Sequence, residues 1–377
     1  MKHFHRLLPP HIRSLQTYRA GKPAEELARE KNLSRISKLA SNENPYGSSP
    51  LALSAMKAAS KNVHRYPDTG AFALKNELAT RWNLKQDNII LGDGSEGIMT
   101  YITRALLGPG DEVLTSENSF IGFSIMAKSV AADLKTVPMT DDFRFDIKAL
   151  KKHLTEKTKI IYIANPNNPT GTYISVSEID DLMSAVPKRC LVILDEAYFE
   201  FARSCPDYPD SMDYRHDNVI TLRTFSKAYG LAGLRIGYGF AHEDLIDGLM
   251  KVKPPFGPNS VAQALAVAAV RDSTHLEKTV RCNLEQRERT FAFLQKIGFY
   301  PIPSVTNFIA FKAANPEGEA AMFDDLLELG VIVRPLSSHG MTGFIRVSIG
   351  TSEEMDHFIS AMEEILPSWR NRFGSEM

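Results

Sequence analysis

The chain of 377 residues is predicted to be an α/β protein, in which a mainly parallel sheet is covered by helices and a smaller α+β unit follows. Apolar, β-branched runs alternate with helix-like stretches through much of the chain, which is the pattern of a parallel sheet with crossover helices. Polar residues directly follow several of these runs. Open α/β sheets bind ligands beyond the carboxyl ends of their strands, so these polar residues are the first candidates for a site.

The elements can be assigned in chain order. The predicted strands of the large sheet are NIILGD, EVLTSE, KIIYIAN, LVILDEA, NVITLRTF and RIGYGFA. The predicted helices include EGIMTYITRALL, SEIDDLMSAV, SVAQALAVAAVRD and the long segment HLEKTVRCNLEQRERTFAFLQKIGF. The final segments NFIAF, VIVRP and FIRVSIGT predict strands, and a last helix follows them. We expect an N-terminal arm that joins the small domain at 1–44, a large cofactor-binding domain at 45–270 and a small C-terminal domain at 271–377.

Composition narrows the classes of partner. The 44 basic and 45 acidic residues leave a net charge of −1 without a basic stripe, so we expect no nucleic-acid and no membrane partner. Cys190, Cys205 and Cys282 share no short metal-binding spacing, and an odd number of thiols is typical of the cytoplasm, so we expect that location and no metal. The start MKHFHRLLPPHIR lacks the apolar core of a signal peptide, and no run reaches the roughly 18 apolar residues of a membrane helix.

One lysine lies among groups that bind phosphate. The segment TFSKAYGLAGLRIGYG places Lys227 beside Ser226, near Thr224, with Arg235 further on. Hydroxyl donors and an arginine fork are the groups that hold a phosphate dianion. A lysine that bonds covalently to a cofactor must be held beside it, because a solvated ammonium is a poor nucleophile. Lysine next to phosphate donors therefore indicates pyridoxal phosphate, whereas a lone Ser-Lys pair is more often an ordinary surface turn.

A carboxylate follows another apolar run. RCLVILDEAYFEF is a predicted strand that ends at Asp195, and a buried carboxylate is costly unless it meets a cation. The protonated ring nitrogen of pyridoxal phosphate is such a cation, and an aspartate there keeps it protonated. Tyr198 follows three residues later, as a candidate donor to the phenolic oxygen of the same ring. The alternative is that Asp195 only caps the following turn.

Two more strand-to-turn segments supply candidate binding groups. In NPNNPTG the prolines and the glycine form a rigid turn that presents Asn168, a second candidate donor to the phenolic oxygen. In NIILGDGSEG a glycine-rich turn opens a helix, whose first N–H groups would form an anion site. These N–H groups belong to Gly94, Ser95 and Glu96. Either segment alone is also typical of an ordinary solvent-exposed turn.

In this order, the four segments resemble the fold-type I aminotransferases, pyridoxal-phosphate enzymes with a large cofactor domain and a smaller flanking domain. The resemblance covers almost the whole chain, from about Tyr18 to RVSIGT. The Lys227 segment and LDEAY are specific for the superfamily. SNENPYG, RYPD and AGLRIGY narrow the resemblance to the histidinol-phosphate aminotransferases and their close relatives that act on aromatic amino acids.

The resemblance implies a role for each matching residue on the cofactor side. Lys227 matches the lysine that bonds covalently to the cofactor, and Asp195 matches the partner of the ring nitrogen. Tyr198 and Asn168 match the donors to the phenolic oxygen. The residues that match the family's phosphate cup are Ser95, Glu96, Thr224, Ser226 and Arg235, where Glu96 contributes its backbone N–H. The family's ring-stacking tyrosine is matched to Phe123 in ENSFIGFSI, where Asn118-Ser119 replaces the family's Pro-Thr.

On the substrate side, Arg346 matches the arginine that binds the substrate's anionic group, and Arg334, Tyr18 and Asn168 are implied as further contacts. Tyr66, in RYPD, matches a tyrosine that reaches the cofactor phosphate of the neighbouring subunit. The resemblance therefore implies a homodimer in which each active site contains residues of both chains.

The reaction implied by the resemblance is transamination of histidinol phosphate with 2-oxoglutarate, which gives imidazole acetol phosphate and glutamate. Lys227 would serve as general base. An aromatic-amino-acid aminotransferase and a threonine-phosphate decarboxylase remain alternatives, because the cofactor motifs are shared among them. A transcription regulator on this fold needs a DNA-binding head, and we expect the roughly 45 residues before the cofactor motifs to be too few for one.

Overall fold

The computed structural model describes residues 6–17, 24–31, 33, 35–213 and 216–374. The α-helices of this part are α1 (Pro10–Arg13), α2 (Ala24–Lys31), α3 (Pro50–Ala59), α4 (Phe72–Trp82), α5 (Gly94–Leu106), α6 (Ile121–Ser129), α7 (Ile147–Lys152), α8 (Val176–Ala185), α9 (Phe199–Ala202), α10 (Glu243–Met250), α11 (Ser260–Arg271), α12 (Ser273–Lys296), α13 (Pro316–Glu328) and α14 (Ser352–Phe373). The β-strands are β1 (Ser37–Lys38), β2 (Ile89–Gly92), β3 (Glu112–Ser116), β4 (Asp133–Val137), β5 (Thr158–Ala164), β6 (Leu191–Asp195), β7 (Val219–Thr224), β8 (Gly237–Phe240), β9 (Phe308–Lys312), β10 (Val331–Ile332), β11 (Arg334–Pro335) and β12 (Phe344–Ser348).

Seven strands form the large sheet, in the order β2-β8-β7-β6-β5-β3-β4. Strand β8 runs antiparallel to both of its neighbours, and every other pair in this sheet is parallel. The predicted mainly parallel sheet is therefore confirmed. Strand β4 was not predicted, because it is an edge strand with mostly polar, solvent-facing residues and lacks the apolar run that marks the central strands.

Helices cover both faces of this sheet. Successive side chains of β5 point alternately to the two faces and show which helices cover each. Ile160 and Tyr162 point to the face that α5, α6 and α10 cover, whereas Ile161 and Ile163 point to the face that α7 and α8 cover. Because both faces are buried, the central strands are mostly apolar, with the buried Arg223 of β7 as an exception. Helices α3, α4 and α11 pack in a further cluster beside the β2–β8 end of the sheet.

The parallel register brings three strand ends together. Asp195, the last residue of β6, lies opposite Ala164 of β5 and opposite Leu222 of β7. The turns that follow these strands therefore leave the same edge of the sheet, as expected for a ligand site of an open α/β sheet. These turns carry the candidate residues Asn168, Tyr198 and Lys227.

A smaller unit follows helix α12. Strands β11, β12 and β9 form an antiparallel sheet in that order, with Arg334 paired to Arg346, and α13 and α14 pack against it. Strand β1 pairs in parallel with β10, so the N-terminal region contacts this unit. The boundaries 1–44, 45–270 and 271–377 themselves stay a prediction. Among the described residues, no helix is both long and apolar enough to span a membrane.

Candidate active site

Two adjoining cavities lie at the carboxyl ends of β5, β6 and β7. The first, of about 150 Å³, is lined by Ser95, Glu96, Phe120, Ala164, Pro166, Asn168, Asp195, Ala197, Tyr198, Thr224, Ser226, Lys227 and Arg235. The second, of about 150 Å³, is lined by Ala40, Ser41, Asn42, Phe120, Ile121, Asn168, Tyr198, Lys227, Arg334, His339 and Arg346. The two share Phe120, Asn168, Tyr198 and Lys227, so the cavities meet at these residues.

Asp195 is a buried carboxylate with one oxygen left over. Its Oδ2 accepts a hydrogen bond of 2.7 Å from the Tyr162 hydroxyl, and its Oδ1 has no hydrogen-bond partner among the described residues. Burial raises the pKa of Asp195 to about 7, although the Tyr162 hydrogen bond opposes that rise. A cation placed against Oδ1 would favour the charged carboxylate and supply the missing partner.

The aromatic residue beside this cavity is Phe120 rather than Phe123. Phe123 is fully buried and stacks on Tyr162 with ring centroids 4.1 Å apart and an interplanar angle of 10°. Its ring thus supports the tyrosine that holds Asp195 and is not among the residues that line either cavity. Phe120 lines both. The prediction for Phe123 is therefore corrected: Phe120 directly precedes α6 and faces the cavities, whereas Phe123 lies inside that helix on its core-facing side.

Lys227 lies where the two cavities meet. Its side chain is half-buried, and its Nζ donates to the backbone carbonyl of Ser41 at 3.4 Å. Burial, followed by the positive charge of Arg346, lowers the pKa of Lys227 to about 8. At pH 7 roughly a tenth of amines with this pKa are uncharged, far more than for a solvated lysine, and a nucleophile or general base must be uncharged.

Hydroxyl groups and an arginine line one end of the first cavity. Thr224 Oγ1 donates to Ser226 Oγ at 3.1 Å, and Arg235 Nη1 donates to the same Ser226 oxygen at 3.3 Å. Arg235 has a left-handed backbone with φ of 51°, a conformation that non-glycine residues rarely adopt and that is enriched at functional sites. These three side chains form a compact group of donors.

The N-terminus of α5 closes the same end. Gly94 is its first residue, with φ of +74°, and a Cβ at this position would lie 2.7 Å from Arg235 Nη2. The positive φ favours glycine here, and the missing Cβ leaves room for the Arg235 guanidinium. At this helix start the N–H groups of Ser95 and Glu96 lie unpaired by the helix itself. The Glu96 carboxylate accepts from Arg235 Nη2 at 3.1 Å at the half-exposed rim.

The Tyr198 hydroxyl contacts a residue that the sequence analysis did not single out. Asn42, in the SNENPYG segment, donates from Nδ2 to the Tyr198 oxygen at 2.9 Å. Asn42 is itself held by Ser348 of β12, at 2.8 Å and 2.9 Å. Tyr198 and Asn42 are both buried, so the contact is shielded from solvent.

Asn168 joins the two cavities. Its Oδ1 accepts from Arg346 Nη1 at 2.5 Å, and Arg346 Nη2 donates to the backbone carbonyl of Ala40 at 2.9 Å. The amide of Asn168 is therefore oriented with its oxygen toward Arg346 and its nitrogen on the opposite side. An amide in this orientation is suited to donate to one ligand while it orients the arginine for another.

The second cavity is positively charged. Arg334 and Arg346 are buried and lie directly opposite each other on β11 and β12, an arrangement that like charges disfavour unless an anion offsets them. His339, on the hairpin between these strands, lines the same cavity. Burial and the charges of Arg346 and Arg334 lower the pKa of His339 to about 3, so its imidazole is uncharged. Its position could not be inferred from sequence, because it depends on the hairpin fold.

One further predicted residue, Tyr66, lies apart from these cavities. Tyr66 is 78% exposed, lines neither cavity of its own chain and stacks on Phe256 with ring centroids 4.1 Å apart. Tyr18 lies outside the described residues. No group of three or more histidine, cysteine, aspartate or glutamate side chains in the described part is arranged to hold a metal ion.

The donor set of the first cavity fits pyridoxal phosphate. Asp195 Oδ1 is a buried acceptor suited to a ring N–H⁺, and the hydroxyl, guanidinium and helix N–H groups at the other end suit a phosphate dianion. Lys227 lies between them with an amine of lowered pKa. A flat heteroaromatic ring with a phosphate arm matches this separation of charges, whereas a simple anion would leave Asp195 Oδ1 without a partner.

Comparisons of sequence and of fold with known proteins both find aminotransferases. The class I and II aminotransferase family matches residues 34–362. Histidinol-phosphate aminotransferase 2 of Carboxydothermus hydrogenoformans is 41% identical over 357 residues, which are 94% of this chain and 98% of that protein. Histidinol-phosphate aminotransferase of Anaeromyxobacter sp. is 40% identical over 362 residues, 96% of this chain and 99% of the relative.

Solved structures similar to this chain are also aminotransferases. The histidinol-phosphate aminotransferase of Sinorhizobium meliloti, in complex with pyridoxal-5'-phosphate, has a TM-score of 0.84 and 30% identity, covering 96% of this chain and 98% of that one. Aspartate aminotransferase from Thermus thermophilus with maleate has a TM-score of 0.80 at 19% identity, covering 94% and 99%. The latter likeness concerns the fold alone.

Proposed function

We propose that this chain, which belongs to the class I and II aminotransferases and within them to the histidinol-phosphate aminotransferases, transfers the amino group of histidinol phosphate to 2-oxoglutarate with pyridoxal phosphate as cofactor. The products are imidazole acetol phosphate and glutamate, and the reaction belongs to histidine biosynthesis, for which we propose a cytoplasmic location. The observation that carries this proposal is the pairing of two cavities of complementary charge on either side of Lys227.

The first cavity would hold the cofactor. Asp195 Oδ1 would accept from the ring nitrogen, and Tyr198 with Asn168 would donate to the phenolic oxygen. Phe120 would cover one ring face. The phosphate arm would bind the hydroxyls, guanidinium and helix N–H groups contributed by Gly94, Ser95, Glu96, Thr224, Ser226 and Arg235. When bound, pyridoxal phosphate supplies an electron sink for the charge released at the substrate's α carbon.

The chain's own groups would then move the proton. Lys227 takes a proton from the substrate's α carbon with its uncharged amine, which its pKa of about 8 makes accessible near neutral pH. Holding that amine beside the substrate makes the transfer effectively unimolecular. Asp195 would keep its negative charge against the ring nitrogen and so would favour the protonated, electron-withdrawing form of the ring.

The second cavity would bind the substrate's far end. Arg334 and Arg346 supply two adjacent cations, which suit the phosphate dianion of histidinol phosphate and also the distal carboxylate of glutamate or 2-oxoglutarate. Asn168 holds Arg346 in place through the 2.5 Å contact. The same arginines would thus serve both half-reactions.

The test is a comparison of amino donors. Purified protein with pyridoxal phosphate and 2-oxoglutarate should show a much higher kcat/KM for histidinol phosphate than for phenylalanine or tyrosine. A preference for the aromatic amino acids would instead identify an aromatic aminotransferase, and release of carbon dioxide from threonine phosphate would identify a decarboxylase. Either result would contradict the proposed substrate while leaving the cofactor assignment intact.

We also propose a homodimer in which Tyr66 completes the phosphate site of the partner chain. Tyr66 is highly exposed, lines neither cavity of its own chain and stacks on Phe256, another exposed aromatic residue. Further exposed apolar side chains on nearby segments are those of Leu51, Leu53, Met56, Val63 and Phe72. Aromatic and aliphatic side chains in this number favour burial against a second surface.

Mixing two inactive variants tests the shared site. Lys227→Ala subunits mixed with Tyr66→Ala subunits should regain activity, because one site of the mixed dimer then combines an intact Lys227 with an intact Tyr66. A matched control mixes Lys227→Ala with Asp195→Asn, whose positions line one cavity of one chain, and should restore nothing. Absence of recovery in dimers shown to exchange subunits would refute the shared site.

A further inference from the structure

We propose that Asn42, oriented by Ser348, is a positioning residue that directs the Tyr198 hydroxyl proton toward the phenolic oxygen of the cofactor. The proposal rests on the proposed function, because that oxygen belongs to pyridoxal phosphate. It goes beyond that function by assigning a role in tuning the cofactor to two residues that are not themselves expected to contact it. One of them, Ser348, lies on the strand that carries the substrate arginine Arg346.

The hydrogen bonds of Asn42 and Ser348 form one consistent pattern of donors and acceptors. The N–H of Asn42 donates to Ser348 Oγ at 2.9 Å, so this oxygen is an acceptor in that contact. Ser348 Oγ donates its own proton to Asn42 Oδ1 at 2.8 Å. With the amide oxygen toward Ser348, the amide nitrogen faces the other way and donates to the Tyr198 oxygen at 2.9 Å. In this orientation the Ser348 proton and both ends of the Asn42 amide each have a partner.

The Tyr198 hydroxyl is consequently an acceptor toward Asn42. A phenol that accepts a hydrogen bond from one side directs its proton to a different acceptor. Tyr198 lines both cavities, and its ring packs edge-on against Phe308 with centroids 5.2 Å apart, which restricts rotation of the ring. We therefore place the proton on the cavity side, where the cofactor's phenolic oxygen would accept it.

The environment holds Asn42 in this orientation. The residue is 2% exposed and has φ of 54°, a left-handed conformation that asparagine tolerates better than most residues. Its backbone carbonyl accepts from Asn307 Nδ2 at 3.0 Å, so the small-domain side secures the main chain as well as the side chain. Deleting the Ser348 hydroxyl removes the group that keeps the amide oxygen away from Tyr198.

The experiment follows the visible absorbance of the bound cofactor as a function of pH in the holoenzyme. A hydrogen bond donated to the phenolic oxygen stabilises its anionic form and lowers the pH midpoint of the absorbance change. Tyr198→Phe removes the donor and should raise the midpoint by about half a unit to one unit, the shift for one net hydrogen bond. Ser348→Ala should raise the midpoint by part of this amount, because the freed amide can turn its oxygen to Tyr198 and draw the proton away.

Three further variants separate positioning from a general structural role. Asn42→Asp keeps the shape but offers Tyr198 only an acceptor, so it should raise the midpoint at least as much as Tyr198→Phe does. Ser348→Thr keeps the hydroxyl and should restore the wild-type midpoint. Ser368→Ala removes a hydroxyl that donates to the carbonyl of Ile365 in its own helix, and it should leave the midpoint unchanged.

The outcomes are distinct. If Tyr198→Phe shifts the midpoint while Ser348→Ala and Asn42→Asp coincide with the wild type, the positioning role is overturned. An unshifted Tyr198→Phe overturns it too, because the hydroxyl then does not donate to the cofactor. A wild-type protein that gains no titrating visible band with pyridoxal phosphate would refute the proposed function instead. If Ser348→Ala fails to fold, the isosteric Asn42→Asp decides between the first two outcomes.

Discussion

The two cavities meet at Lys227 and Tyr198, yet they are constructed differently. The cofactor-side cavity is made by the turns after adjacent strands of one sheet, so its key groups lie within a few residues of β6 and β7. The substrate-side cavity combines a stretch before α3, the start of α6 and the β11–β12 hairpin, which are far apart in sequence. One half depends on sheet register, and the other depends on how two units of the chain pack together.

Their electrostatics are opposite. The first cavity contains a buried carboxylate whose pKa is raised to about 7 and which has one oxygen without a partner in the described structure. The second contains two facing arginines and an imidazole kept uncharged beside them. Each half carries a charge that a ligand of opposite sign would offset: a ring cation at Asp195 and a substrate anion at Arg334 and Arg346. Each can therefore be tested by removing that charge.

The largest effect is expected at the junction of the halves. Lys227→Ala should still bind pyridoxal phosphate through the phosphate donors but should lose at least about a thousandfold in turnover, because it lacks the amine that moves the proton. In the wild type, borohydride reduction followed by peptide mapping should place the cofactor on the peptide that contains Lys227. Lys159→Ala, which alters an exposed surface ion pair, is the control and should behave as wild type. An adduct on a different lysine would remove Lys227 from this role.

The next effect isolates the cofactor half. Asp195→Asn keeps the shape of the side chain but removes the charge that holds the ring proton, so the rate of the chemical step should fall by roughly a hundredfold or more. Substrate affinity should change much less, since the two arginines are untouched. Single-turnover rates and substrate Kd values separate these quantities. Asp207→Asn, outside both cavities, is the matched control, and a near-normal kcat in Asp195→Asn would contradict the assignment.

The contrast between the two cavities also explains which residues of the site could be predicted from the sequence. Asp195, Thr224, Ser226 and Lys227 each follow an apolar strand, and a parallel sheet gathers strand ends at one edge, so their proximity was predictable. Phe123 was misplaced because two phenylalanines lie three residues apart, and only helix α6 determines which of them faces the cavity.

The remaining residues of the site had weaker local signals. His339 and Ser348 come near the site only through the β11–β12 hairpin and its packing against the large sheet. Asn42 lies in a motif that indicated the family but gave no sign of its contact with Tyr198. The edge strand β4 was missed for a related reason, because its side chains face solvent and give no apolar run. Contacts that depend on tertiary packing have no periodic pattern in sequence.

A smaller effect is expected from the substrate half. Arg334→Ala should weaken histidinol phosphate more than glutamate, by about tenfold to a hundredfold in KM, because a charge-assisted contact is worth more to a dianion than to a carboxylate. Measuring kcat/KM for both donors gives the ratio directly. Arg104→Ala, an exposed arginine on α5, should leave the ratio unchanged. Equal losses for both donors would favour the broad aromatic aminotransferase.

The smallest effect is expected at a second buried carboxylate. It lies outside both cavities, so it can be compared with Asp195, which lines one of them. Glu200, on α9, is buried, and neither of its oxygens has a hydrogen-bond partner among the described residues. Burial raises the pKa of Glu200 from 4.5 to about 7. If burial alone explained the behaviour of Asp195, mutating Asp195 or Glu200 would have the same effect, and adding the cofactor would affect both residues alike.

The sign of the pH dependence follows from the raised pKa. The folded state holds the Glu200 proton more tightly than the unfolded state does, so this contribution to stability is complete below pH 4.5 and is lost as the pH rises through about 7. Glu200→Gln cannot lose a proton, so the variant should gain about 1 to 3 kcal/mol over the wild type at pH 8 and little at pH 5. Denaturant unfolding at the two pH values measures this, with the exposed Glu285→Gln as control. Glu200→Gln should also keep wild-type turnover, in contrast to Asp195→Asn; a gain that is equal at both pH values would show that the Glu200 proton is not the cause.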